Sequence, residues 1–164
     1  MKTKTTDVVI AVPTVDALME RTPQVCLKIR ESSEEDVPFT KDALEQMGKG
    51  VNAKGVYVHL WKKNPREKVV LYVGQTGQSF RKRLNWEFSL QHNPVSEKFR
   101  TEIRKHIGKK DVITVFFDES VLAKMVSGCK MDNKTLRLLV EQAMIAAYSE
   151  KYELLNVYAD KDEQ

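Results

Sequence analysis

Three polar groups of this chain, Glu141, Arg83 and the pair Tyr57 and Tyr72, sit where a purely structural sequence would not need them. Glu141 falls in a helical run with Leu138 three residues before it, Met144 three after and Ile145 four after. It therefore borders an apolar face, where a carboxylate must find a cation, a metal ion or hydrogen bonds. An ion pair with Arg137, four residues earlier, is the plain structural alternative. Arg83 follows Phe80 by three residues and belongs to a basic triplet with Arg81 and Lys82, directly after a glycine-containing loop. Basic side chains at a helix start can hold a phosphate through charge and backbone N–H groups; a surface pair with Glu87 fits the spacing equally well. Tyr57 and Tyr72 fall one on each of two strand-like runs. They can be sheet packing, or hydroxyls that hydrogen-bond a reacting water. His59, two residues from Tyr57, shares its strand face. None of His59, His92 and His106 has the spacing of a metal ligand.

These groups need elements to position them. Residues 55–61 (Gly-Val-Tyr-Val-His-Leu-Trp) and 69–73 are rich in β-branched and aromatic residues, and Asn64-Pro65 lies between them. They read as a hairpin that Gly74 stops. Residues 75–78 read as a loop. Ser79 can cap a helix with Phe80, Leu84 and Phe88 at i, i+4 and i+8. Pro94 precedes a second helix with Val95, Phe99, Ile103 and Ile107 on one face, ended by Gly108. Residues 112–117 are apolar on both faces, as in a buried strand. A short helix over 121–126 follows, then a long one over 134–148 capped by Asp132 or Asn133, then an extended segment at 154–157. Residues 1–50 read as an N-terminal extension holding a short strand near 7–12, a helical turn at 15–21, a strand near 25–29 and a helix near 41–47. The expected fold is α+β: a small antiparallel three-stranded sheet flanked by helices, over residues 51–158, with an acidic tail at 159–164.

Composition narrows the function classes. The 164 residues are 41% hydrophobic and 30% charged, which fits one packed domain with a modest extension. No apolar run reaches the length of a membrane span. The 2 cysteines, Cys26 and Cys129, have no close partner and no nearby histidine. That argues against a disulfide scaffold and a Cys/His zinc module, and makes a reduced, cytoplasmic setting the expectation. Charge is unevenly distributed: residues 1–50 carry a net −2, residues 51–110 a net +10 and residues 111–164 a net −4. A basic middle third suits a polyanion such as nucleic acid. Arg81, Lys82, Lys98, Arg104 and Lys105 are its candidate phosphate contacts.

Taken in order, Gly55-Val56-Tyr57, Tyr72-Val73-Gly74, Arg83, Glu141 and Asn156 resemble the five motif elements of the GIY-YIG nuclease superfamily, over residues 54–157. The resemblance implies metal-dependent DNA phosphodiester hydrolysis. It implies Glu141 as the protein ligand of one Mg²⁺ or Mn²⁺ ion, a hard cation that a carboxylate and several waters suit. It implies that Tyr57 orients or deprotonates the attacking water, that Arg83 neutralises the phosphate, that Tyr72 hydrogen-bonds within the site, and that Asn156 braces the surroundings of Glu141. Gly74 belongs to the second motif. A neutral tyrosine is a poor base at pH 7, and Lys62, Lys63 and His59 are candidates to assist it. Two positions depart from the family pattern: Glu87 stands where many members have histidine, and Gln75 where some have lysine. The length points to a compact, free-standing member of the restriction or mobile-element type. A double-strand break needs two such sites, hence a homodimer or sequential nicking.

Two readings from other classes remain. One is a nucleic-acid-binding module on the same fold without catalysis. The other is an accessory protein whose N-terminal segment recruits a partner chain.

Overall fold

The computed structural model describes residues 7–21, 24–27, 48–88 and 112–156. Its elements are β1 (Val9–Ile10), α1 (Val15–Glu20), β2 (Gln24–Leu27), a 3₁₀ turn (Gly48–Asn52), β3 (Gly55–Lys62), β4 (Lys68–Thr76), α2 (Phe80–Phe88), β5 (Val112–Asp118), α3 (Glu119–Met125), β6 (Val126–Ser127) and α4 (Asn133–Ser149). The expected helices near 41–47 and 95–107, and the tail at 159–164, lie outside the described residues.

The three expected strands pair antiparallel, and the protein is α+β. The sheet is nonetheless wider than three strands. Its order is β2-β5-β3-β4, because Gln24–Leu27 adds to the outer edge of β5. A second, two-stranded sheet joins β1 to β6. A four-residue strand such as Gln24–Leu27 satisfies its backbone by pairing with whatever edge stands open, and sequence does not say which edge that is. Strand β4 also outruns its expected end. Gly74, Gln75 and Thr76 continue the ladder opposite Tyr57, Val56 and Gly55. Gly74 does not break the strand; it leaves room for Tyr57. A Cβ there would come within 2.3 Å of the Tyr57 ring.

Local chemistry sets the helix starts. Thr14, Asp118 and Asp132 cap α1, α3 and α4, each accepting a backbone N–H three residues on. The Ser79 hydroxyl accepts from Lys82 N at the start of α2.

The sheet is buried on both faces. On one face Val56, Val58, Leu60, Val70, Val73, Val115 and Phe117 meet Leu18 of α1, Leu122 of α3 and Leu136, Val140, Met144 and Tyr148 of α4. On the other, Tyr57, Leu71, Tyr72, Val112 and Phe116 meet Val51, Leu155 and the α2 residues Phe80 and Leu84. A register shift between His59 and Leu60 lets Leu71 and Tyr72 share that second face although they are adjacent in sequence. Every large apolar side chain fully buried this way contributes about 1.5–3 kcal/mol. After α4 the chain returns along the free edge of β4. Leu155 N donates to Leu71 O at 2.7 Å. The Asn156 amide imitates a strand partner: its Oδ1 accepts from Val73 N at 3.0 Å and its Nδ2 donates to Val73 O at 2.7 Å. The β4 edge is thereby occupied at Leu71 and Val73.

Candidate active site

Antiparallel register builds the site. Residues directly opposite one another point to the same face. Phe116, Tyr57 and Gly74 form one row across β5, β3 and β4, and Thr114, His59 and Tyr72 form the next. Tyr57 therefore lies over Gly74, 5.2 Å from the His59 ring and 6.1 Å from the Tyr72 ring, centroid to centroid. His59 stacks on Tyr72 at 5.8 Å, and its Nδ1 lies 2.7 Å from Thr114 Oγ1. Phe80 at the start of α2 packs edge-on against both Tyr57 and Phe116. That contact fixes the roll of the helix, and three residues later Arg83 Nε donates to the Tyr57 hydroxyl at 3.3 Å. A phenol oxygen that accepts from a guanidinium keeps its own proton for another acceptor.

Of the side chains singled out from sequence, Tyr57, His59, Tyr72 and Arg83 are brought together, with Gly74 as the space between them. Tyr57 and His59 are wholly buried. Arg83 reaches a cleft of about 290 Å³ lined also by Gln75, Thr76, Gly77 and Gln78. The loop at its mouth is closed by Thr76, whose hydroxyl accepts from Gln78 N and donates to Gln78 O. Arg81 and Lys82 are exposed on the first turn of α2.

Lys63 is not brought to this cluster. It stands just past the end of β3, six residues and roughly 20 Å from Tyr57, and pairs with Glu67 across the hairpin turn at 3.7 Å. Lys62, the last residue of β3, shares that remote end. Asn156 engages the backbone of Val73, as described above. Lys98, Arg104 and Lys105 lie outside the described residues.

Glu141 is half-buried on α4, and Gln142 Nε2 donates to its Oε1 at 3.2 Å. Its expected structural partner has turned elsewhere. Arg137 donates through Nη1 to Glu119 of α3 and through Nε to Gln75 Oε1 of β4. Its guanidinium also lies over Gly77, where a Cβ would sit 2.8 Å from Nη2. Arg137 thus binds α4, α3 and the rim of the cleft together. Nothing in its spacing announces that role, since both partners are distant in sequence. Because Arg137 meets the end of β4, while Tyr148 and Lys68 line one cleft at its start, α4 runs antiparallel to the strand. Glu141, one turn beyond Arg137, is about 6 Å further along α4, which packs on the sheet face opposite to Tyr57, Phe80 and Leu84.

Among the described residues no three His, Cys, Asp or Glu side chains gather as a protein-built metal cage requires. A single half-exposed carboxylate is a donor set for a hard, largely hydrated divalent ion, and for no softer metal.

No family model, no curated protein and no solved structure matches this chain. No helix among the described residues is long and apolar enough to cross a membrane.

Proposed function

We propose that the protein is a metal-dependent DNA endonuclease of the GIY-YIG type. The observation that carries this reading is the bond from Arg83 Nε to the Tyr57 hydroxyl, made across a glycine that exists to admit the ring and at the wall of a polar cleft. A phosphodiester entering that cleft competes for the guanidinium, which offers it a forked, charge-assisted grip. Arg83 then neutralises the phosphate. Tyr57, released from Arg83, holds the attacking water in line. Tyr72 and His59 keep the Tyr57 ring in place through the two rows of the sheet. Glu141 would hold Mg²⁺ or Mn²⁺; such an ion, when bound, stabilises charge on the phosphate and on the departing oxygen. The basic block at residues 51–110 supplies the attraction for duplex DNA.

The test is nicking of supercoiled plasmid with Mg²⁺ or Mn²⁺. Cleavage is expected with the unaltered chain and loss of it with Glu141→Ala, Arg83→Ala or added chelator. A reading without catalysis has its own observation: Tyr57 is wholly buried and already bonded to Arg83. If plasmid stays intact while DNA is bound equally by the unaltered chain and by Glu141→Ala, the protein is a binding module.

A further inference from the structure

His59 is the obvious group to accept the Tyr57 proton, being on the same strand face and 5.2 Å away ring to ring. Its other neighbour argues otherwise. Thr114 is fully buried in the middle of β5, and the contact with His59 Nδ1 is the one hydrogen bond the described residues give its hydroxyl. A threonine hydroxyl has one proton to donate, and a buried proton without an acceptor is strongly disfavoured. If Nδ1 carried a hydrogen, that hydrogen would point at Thr114 Oγ1 and the threonine proton would have nowhere to go. With Nδ1 as a bare acceptor, both groups are satisfied.

We infer that Thr114 holds His59 as the neutral Nε2–H tautomer. The pair thereby positions the Tyr57–Tyr72 rings instead of accepting a proton from them. The Nδ1 lone pair is occupied by the Thr114 hydroxyl and Nε2 is protonated, so the ring has no free acceptor. His59, so held, is a positioning residue and not the base of the reaction. This deepens the nuclease reading and rests on it for its catalytic meaning. The tautomer itself follows from the sheet register that sets Thr114 opposite His59.

Nitrogen-15 NMR of the full chain reads the tautomer directly. His59→Gln identifies which of the 3 histidines gives the signal. A pyridine-type Nδ1 and a pyrrole-type Nε2 are expected at pH 7. Thr114→Ser, which keeps the hydroxyl, should preserve that pattern, and Thr114→Val should move both nitrogens toward exchange-averaged positions. A pyrrole-type Nδ1 in the unaltered chain overturns the inference, whether or not the valine variant folds. In plasmid cleavage a proton-accepting histidine would be worth about 10²–10⁴-fold. For a positioning role His59→Gln should cost less than about tenfold, and a loss of 10²-fold or more overturns it. If the unaltered chain cuts nothing, the nuclease reading fails, while the NMR pattern still decides the tautomer.

Discussion

At the scale of single residues, the site turns on what lies next to Tyr57. Gly74 is required by that ring and not by a turn, since its backbone is ordinary strand. Gly74→Ala should lower stability by about 1–3 kcal/mol, the usual cost of forcing an extra carbon into a filled space. A fall in the urea midpoint would show it, and an unchanged midpoint would mean the ring is loosely held. Arg83→Ala removes the guanidinium bonded to the Tyr57 hydroxyl. If Arg83 grips the reacting phosphate, turnover should fall about 10²–10³-fold, the range for loss of one transition-state donor. Arg83→Lys should restore little, because a point charge does not reproduce the fork. Both follow from single-turnover rates at saturating DNA.

At the scale of elements, ends and edges decide most. Asn156 spends both ends of its amide on Val73, satisfying that residue's outward backbone groups on the β4 edge. Asn156→Ala should cost about 2 kcal/mol by stranding two buried backbone groups. Asn156→Asp should be worse, since it sets a carboxylate against the Val73 carbonyl; denaturant midpoints at neutral pH give the comparison. Asp118 starts α3, and its carboxyl lies below the ordinary range. The Ser120 hydroxyl bond contributes most to this, partial burial opposes it, and the Val121 N–H and the Arg21 charge assist. A carboxyl depressed in the folded state stabilises fully above its unfolded value, about 3.9. That contribution is lost as pH falls through the lower native value. Asp118→Asn should therefore be less stable than the parent at pH 7, with the gap narrowing below about pH 4. A gap independent of pH would show the cap acting by shape alone.

At the scale of the molecule, charge is sorted along the chain, with the basic block between two acidic ones. On the proposed reading, that arrangement would make affinity for DNA depend on salt. Each phosphate that the protein no longer neutralises should reduce the slope of log affinity against log salt by about 0.9. Arg81→Ala with Lys82→Ala should lower the slope by about 1–2 and weaken binding alike for all DNA sequences. A slope unchanged by the pair would place the interface elsewhere.

The amino-acid sequence determined the local parts. Alternation and apolar runs marked β3, β4 and β5, a capping side chain marked the starts of α2 and α4, and the order strand, strand, helix was legible over residues 55–88. These are short-range properties, set by periodicity and by side chains bonding backbone three residues away. Which distant groups touch was decided only in three dimensions. Register put Thr114 opposite His59 and Phe116 opposite Tyr57. Open edges captured β2 and Asn156. Arg137 left its helical neighbour Glu141 for Glu119 and Gln75. Such choices compare partners far apart in the chain, and their free energies exist only once the sheet has closed around them.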